Sequence, residues 1–461
     1  LMTFGMKIND NIFRAYDIRG KAYEELTSEI VKLIGQALGS KSLDQGQNSL
    51  VVGRDGRNSS PDMFEWLTSG INSSGCNVVN IGIVPTPMLY FATHTLSASN
   101  GVMITGSHNP KDYNGFKIVE NKRSLSGDAI QDLKGKILQK DFKTGNGKKE
   151  EIDIKEEYIK FILDNTNIVR PLKIAIDCGN GAASVIAKEV YERLGCKVDA
   201  LYSELDGNFP NHHPDPSNPK NLEDLSKIVS SKNLEIGLAF DGDADRLGVV
   251  SSDGKIIFPD KQMILFSRSI LKERKQGGIV FDVKCSKLLS DEIKKIGGTP
   301  IMSKTGHSFI KDCIQENAAL LGGEMSGHIF FNDRWPGFDD GIYAGARMLE
   351  ILSQQPEGEN IFSDLPELFS TSEINIKTSD DEKFQIVKDF IERANYEGSD
   401  SILIDGIRVE FDYGWGLLRA SNTSPNLVLR FEADSTKNLE TLQKLFQKTL
   451  KEINPNLEDF T

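Results

Sequence analysis

One pattern occurs three times along the chain, and it limits what the chain can fold into. An apolar strand ending in a turn rich in Gly or Asp appears as SLVVGRDGR (49–57), KIAIDCGNG (173–181) and GIVFDVKCS (278–286). Each is followed by a helix-like segment, then by a glycine and a second strand: GCNVVNIGIV from Gly75, GCKVDALYS from Gly195 and GGTPIMSKTG from Gly297. A third apolar strand then runs into a polar loop, in GVMITGSHNP, EIGLAFDGDADR and AALLGGEMSGH. Strands alternating with helices build parallel sheets covered by helices, so the pattern predicts three α/β domains of related topology. Ligands bind beyond the carboxyl ends of such strands, which directs attention to the three polar loops. The repeat is one of pattern rather than of residue identity.

After residue 371 the pattern changes. EINIKT reads as a strand, EKFQIVKDFIERANYE as a helix, SILIDGIRVEFDYGWGLLRASN and NLVLRFEA as hairpin-linked strands, and TKNLETLQKLFQKTLKEI as a final helix. Together they predict a smaller α+β domain. Residues 355–358 and Leu365-Pro366 are loop signals ahead of it, and TGNGKKEEIDIKEE (144–157) reads as a solvated linker. The expected domains are 1–150, 151–254, 255–368 and 369–461.

With 54 basic and 67 acidic side chains the formal net charge is −13. Nucleic-acid binding needs a concentrated basic footprint, so no nucleic-acid partner is expected, although a local pocket could still take a small anion. No apolar run reaches the ~18 residues of a membrane span, so no membrane partner is expected. Residues 1–17 lack the apolar core of a signal peptide, and Leu1 ahead of Met2 reads as a cloning remnant. Cys76, Cys178, Cys196, Cys285 and Cys313 are widely spaced without a CxxC pair. They read as buried reduced thiols, and the expected location is cytoplasmic.

In FDGDADR, Asp241, Asp243 and Asp245 stand at alternate positions after an apolar strand. Three carboxylates in five residues repel unless a cation joins them, and an all-oxygen set suits a hard ion such as Mg²⁺. The loop is not an EF-hand: counted from Asp241 the sixth residue is Arg246 and the twelfth Ser252, where Gly and Glu are needed. An exposed acidic turn has the same composition. Arg246 offers a place for an anion beside the metal.

In TGSHNP, Ser107 and His108 are neighbours in the chain and need not face each other. The nucleophile-elbow glycines are absent, with Asn109 two residues after the serine. By itself the loop reads as a structural turn. Beside a cation-binding loop, Ser107 becomes a candidate phosphoryl acceptor, and the cation would offset the phosphoserine charge of about −1.5 to −2. GGEMSGH offers Glu324, Ser326 and His328, a set suited to sugar hydroxyls and equally to a buried polar network. RASNTSPNLVLR offers Arg419, Ser421, Asn422, Thr423 and Arg430. Two guanidinium groups with short polar donors around a turn make a phosphate clamp, and a plain turn between two strands fits as well.

TGSHNP, DGDADR, GEMSGH and RASNTSPNLVLR, in this order, together with FRAYDIRG (13–20) and GEMSGHIFFNDRWPGFDDGIYAGARMLEIL (323–352), resemble the α-D-phosphohexomutase superfamily. The bacterial phosphomannomutase/phosphoglucomutase branch is most similar, over essentially the whole chain. The resemblance implies four domains around a central cleft: the three α/β domains and a C-terminal domain with a TATA-box-binding-protein-like fold. It implies reversible phosphate transfer between O1 and O6 of mannose or glucose, through a phosphoserine and a hexose 1,6-bisphosphate.

By the same resemblance Ser107 carries the phosphoryl group. Asp241, Asp243 and Asp245 bind Mg²⁺, with an oxygen of phosphorylated Ser107 as a further ligand. His108, Lys117, Arg19, His307 and Arg246 belong to the transfer site, Lys117 and His307 being candidates for moving protons. Glu324, Ser326 and His328 read the sugar. Arg419, Ser421, Asn422, Thr423 and Arg430 clamp the distal phosphate, and Tyr16 and Lys284 are further substrate contacts. Expected cofactors are Mg²⁺ and, as activator, glucose 1,6-bisphosphate or mannose 1,6-bisphosphate. The expected partners are hexose phosphates, taken by a monomer. His94, His212 and His213 fit no motif.

Because one serine must meet each phosphate in turn, the intermediate has to turn around; a distal clamp on a movable fourth domain would allow that. Ala244 stands where glycine is also common in this family, which is tolerated unless the backbone there needs φ > 0. Three alternatives compete. Phosphoglucosamine mutase typically has glutamine where this chain has Met325. A haloacid-dehalogenase-type enzyme needs DxDx[T/V] near the start, whereas Asp245 follows DGDA in mid-chain. A non-catalytic sugar-phosphate-binding protein would not need Ser107, the aspartates and Lys117 together.

Overall fold

The structure, a computed structural model, describes residues 8–461; the reading of Leu1 lies outside them. Two compact units emerge: the chain up to Ser269 with Ser326–Ser363, and Ile270–Met325 with Asp364–Thr461.

In the first unit, Ser49–Arg54 lies between Asn77–Ile83 and Gly101–Ile104, all parallel. Leu172–Asp177 lies likewise between Cys196–Leu201 and Ile236–Phe240. In the second unit, Gly278–Asp282 lies between Thr299–Ser303 and Leu321–Gly323. The three repeats therefore share the strand order third–first–second. Strand order reverses between the first and third strands, which is where open α/β sheets bind ligands, and each polar loop leaves the third strand at that point. The first and third strands of each repeat are largely buried and read as apolar runs rather than alternations, whereas the second strands Cys196–Leu201 and Thr299–Ser303 are mostly half-buried. In the first unit each third strand is met by an antiparallel return strand, Tyr113–Glu120 against Gly101–Ile104 and Leu247–Ser251 against Ile236–Phe240.

The expected linker at 144–157 differs. Lys149–Glu151 pairs with Asn77–Ile83 at the sheet edge, and Lys155–Asp164 is helical. All three residues of that strand are exposed. Only backbone pairing defines it, and charged residues suit an edge.

The C-terminal sheet is antiparallel, with Gly414–Ala420 between Ile407–Phe411 and Asn426–Ala433. The outer strands are Asp400–Ile402 at one edge and Phe369–Ser370 with Ile374–Lys377 at the other. Period-two alternation turns Leu418, Ala420, Leu429 and Phe431 toward the helices Lys383–Arg393 and Thr436–Ile453, against Phe390, Leu442 and Phe446. The other face carries Arg408, Trp415, Arg419, Arg430 and Glu432, all buried. Cys76, Cys178, Cys196 and Cys285 are buried thiols and Cys313 is half-buried. Among the described residues, no helix is long and apolar enough to cross a membrane.

Candidate functional site

Ser107 sits in the turn after Gly101–Ile104 with φ 51°. Its Oγ donates to Asp241 Oδ2 at 3.3 Å and lies 3.3 Å from His108 Nδ1, so the neighbouring serine and histidine do face each other. The Arg246 guanidinium and then burial hold His108 well below its ordinary pKa, so its imidazole is neutral at pH 7. Gly242 lets the aspartate loop approach, since a Cβ there would sit 2.2 Å from Ser107 O.

Asp241, Asp243 and Asp245 are buried, with one oxygen of each within 4.8 Å of the others. Lys117, opposite Met103 on the return strand, places Nζ 2.7 Å from both Asp243 Oδ2 and Asp245 Oδ2. Burial alone would push this ammonium down, but the two carboxylates reverse that and hold its pKa well above the ordinary value. Burial, then Asp245 and Asp243, push Asp241 well above the usual carboxylate range. Asp243 Oδ1 and Asp245 Oδ1 are buried without a hydrogen-bond partner, a costly state. An all-oxygen set with two such atoms fits a hard divalent cation. Ala244 has φ 60°, so the methyl does sit where the backbone is left-handed, at a cost of about 1–2 kcal/mol.

Arg246 donates from its backbone N–H to Asp241 Oδ1 at 3.1 Å and from Nε to His328 Nε2 at 3.1 Å. His328 Nδ1 in turn donates to Asp339 Oδ2 at 2.8 Å. His328, read from sequence as a sugar contact beside Glu324, is thus bonded beside the aspartate loop. Arg19 donates to Asn109 Oδ1 at 2.5 Å and pairs with Asp17. Tyr16 is half-buried just ahead of Arg19.

In the second unit, Glu324 Oε1 accepts from Gly306 N at 2.8 Å, next to His307 at the start of the helix His307–Asn317. Lys284 Nζ lies 3.2 Å from Glu373 Oε2. Arg430 donates to Lys284 O, and Arg408 to Val283 O and Cys285 O at 2.8 and 2.6 Å. Arg408 also stacks 3.7 Å from the Trp415 ring centre. These bonds join the third α/β domain to the polar face of the C-terminal sheet. Arg419 Nε donates to Asp405 Oδ2 at 3.0 Å. Ser421 Oγ accepts from the N–H groups of Thr423 and Ser424, leaving Asn422 and Thr423 exposed. Ser326, where the chain returns to the first unit, has its Oγ buried without a hydrogen-bond partner.

Sequence reasoning missed the residues that hold these loops. An aspartate ends or directly follows the central strand of every repeat. Asp55 accepts from Thr105 Oγ1 at 2.7 Å in the serine loop and Asp282 from Met325 N at 3.4 Å in GEMSGH, whereas Asp177 pairs with His212 Nε2 at 2.7 Å, outside the aspartate loop. The threefold recurrence of that aspartate was the available signal. His213, without a motif, donates to His108 O.

Descriptions of phosphoglucomutase/phosphomannomutase alpha/beta/alpha domains I, II and III match residues 10–144, 156–254 and 258–369, and that of the C-terminal domain matches 373–448. The chain belongs to the phosphoglucomutase/phosphomannomutase family. A phosphomannomutase/phosphoglucomutase of Pseudomonas aeruginosa is 50% identical over 448 residues, 97% of each chain. A phosphoglucomutase of Neisseria meningitidis is 49% identical over 451 residues, 97% of this chain and 98% of that relative. A crystal structure of a phosphoglucomutase/phosphomannomutase family protein from Burkholderia thailandensis superposes with TM-score 0.95 at 43% identity, covering 98% of this chain and 100% of that one. These matches favour the mutase reading over its alternatives.

Proposed function

We propose that the chain interconverts the 1- and 6-phosphates of mannose and glucose through a phosphoserine at Ser107, with a hexose 1,6-bisphosphate as intermediate and activator. The observation that carries this is the placement of Ser107 Oγ 3.3 Å from Asp241 Oδ2, beside a buried aspartate triad joined to Lys117. Phosphoryl transfer needs positioning and charge neutralisation more than covalent chemistry, and this half-site supplies both. Asp241, Asp243 and Asp245 would hold Mg²⁺, which when bound supplies Lewis-acid stabilisation of phosphate charge.

The chain's own groups do the rest. Neutral His108 stands where it can take the Ser107 hydroxyl proton. Lys117, bonded to two of the aspartates, supplies positive charge and is, with His307, a candidate for moving protons. Arg246 and Arg19 offer guanidinium donors to phosphate oxygens. His328, with Nδ1 on Asp339 and Nε2 accepting from Arg246, holds that guanidinium beside Asp241. Glu324 and Ser326 read the sugar. Arg419, Ser421, Asn422, Thr423 and Arg430 receive the distal phosphate, with Lys284 and Tyr16 as further contacts. Both sugars are included because one close relative carries both names and another the glucose name alone. Small hexose phosphates need neither nucleic acid nor membrane, and a cytoplasmic monomer suffices.

The test compares kcat/KM on mannose 1-phosphate, glucose 1-phosphate and glucosamine 1-phosphate, with Mg²⁺, a trace of glucose 1,6-bisphosphate and Ser107→Ala as control. Comparable rates on the first two, lost in the control, are expected. A preference for glucosamine 1-phosphate would move the chain to the other branch.

A further inference from the structure

The carbonyls of Ser107, His108, Asn109 and Pro110 all accept hydrogen bonds from side chains, and three of the four accept from one residue. Arg57, only 2% exposed, donates from Nη2 to Ser107 O at 2.9 Å and Asn109 O at 2.7 Å. From Nη1 it donates to Pro110 O at 2.6 Å and Tyr113 O at 3.1 Å. Its Nε lies 3.3 Å from Asp55 Oδ2, and its Cζ stands 5.2 Å from the Phe209 ring centre. Asp55 holds the other side of the same turn, accepting from Thr105 Oγ1 at 2.7 Å and Gly106 N at 3.3 Å. The pair therefore takes the donors of 105–106 and serves the acceptors of 107–113.

Ser107 needs such support. A non-glycine residue is disfavoured in the left-handed region, and φ 51° at Ser107 persists only if its surroundings dictate it. Four carbonyls converging on one buried point call for a planar fork of donors, which arginine has and lysine lacks. The other repeats differ here: two residues beyond Asp177 and Asp282 stand Gly179 and Lys284. Arginine at this position accompanies only the repeat that carries the serine.

We propose that Arg57 is a positioning residue for phosphoryl transfer at Ser107, fixing the backbone that keeps Oγ aimed at Asp241. It touches backbone carbonyls rather than the serine hydroxyl. The inference rests on Ser107 being the phosphoryl acceptor, and the experiment separates the two.

Three variants of the full chain are compared with the parent in Mg²⁺: Ser107→Ala, Arg57→Lys and Gly106→Ala. The last pushes the guanidinium aside without removing it, because a Cβ at residue 106 would lie 2.4 Å from Arg57 Cζ. Measured are the single-turnover rate at which glucose 1,6-bisphosphate phosphorylates the dephosphorylated protein, read by intact mass, together with kcat, KM and thermal melts. Misplacing a reacting group by about 1 Å costs about 10²-fold. Arg57→Lys and Gly106→Ala are each expected to slow phosphorylation and kcat by about that factor, with KM within about threefold of the parent. A merely structural role would lower the melting temperature and the phosphorylatable fraction while leaving the rate per competent site unchanged, and that result overturns the proposal. If Arg57→Lys does not fold, Gly106→Ala decides alone. Phosphate on Ser107→Ala would remove the acceptor reading itself. A blank Ser107→Ala beside parent-like rates in Arg57→Lys and Gly106→Ala would remove only the role of Arg57.

Discussion

Replacing Lys117 with methionine removes the cation that, among the described residues, lies within hydrogen-bond distance of two buried carboxylates, Asp243 and Asp245, each 2.7 Å from Nζ. Breaking a buried ion pair by deleting one partner costs about 3–5 kcal/mol, because the other charge stays buried. At about 2.1 cal/mol/K of unfolding entropy per residue, the roughly 300 residues of the first unit should melt about 5–8 °C lower in EDTA. Lys117 uses the Oδ2 atoms of both aspartates, while their Oδ1 atoms have no hydrogen-bond partner. The Oδ1 atoms of both aspartates would therefore remain open to a divalent cation while Lys117 holds their Oδ2 atoms. In Lys117→Met the cation faces three carboxylates with less opposing charge, so saturating Mg²⁺ should raise the melting temperature more than it does in the parent. Turnover should be lost in either condition. The assay is differential scanning calorimetry of both proteins, in EDTA and in Mg²⁺. Melting within about 1 °C of the parent in EDTA, or an equal Mg²⁺ shift, would refute the idea that Lys117 neutralises the triad.

Three further outcomes are expected. Arg430→Ala removes a charged donor worth about 1.5–3 kcal/mol, so titration calorimetry should show glucose 1,6-bisphosphate bound at least about tenfold more weakly, with phosphorylated Ser107 intact by mass; unchanged affinity would end the clamp role. Asp339→Asn frees the Nδ1–H of His328 from its carboxylate, and loss of such an orienting partner should lower kcat by about 10–100-fold with KM little changed; an unaltered kcat would count against the tautomer argument. Asp340 is pushed up to about 7 by burial. Its proton is bound more tightly in the folded than in the unfolded chain, so the stability this group contributes is complete below its ordinary pKa near 4 and falls as pH rises through about 7, by about 4 kcal/mol in all. Melts from pH 4 to 8 should therefore show Asp340→Asn gaining on the parent as pH rises; a difference independent of pH would contradict the buried-acid reading.

Much was legible in the chain because local physics writes it there. The threefold pattern of apolar strand, helix and glycine fixed three related sheets, since strands buried on both faces must be apolar throughout. The final helix at Thr436–Ile453 and the strand Asn426–Ala433 coincide with the segments read from periodicity. The alternate aspartates could be read as a cation loop because three carboxylates so close need a counter-charge. The strand Lys149–Glu151 could not, because its exposed charged side chains carry no apolar period.

What the tertiary structure alone decided is which side chains hold the loops. Asp55 and Arg57 lie about fifty residues before the serine turn, in a segment whose only sequence signal was a strand end. His213 and Asp339 reach the site from elsewhere in the chain, to His108 O and to His328. The polar face of the C-terminal sheet looks, along the sequence, like a solvated face, yet Arg408, Trp415 and Glu432 are buried there. The residues flanking Lys284 in the third domain supply their partners, through Val283 O, Cys285 O and Ser286 Oγ. A loop motif records which groups do the chemistry, because their types are dictated by the reaction. The partners that aim them satisfy backbone carbonyls and buried charges from any distance in the chain, so only the folded arrangement identifies them.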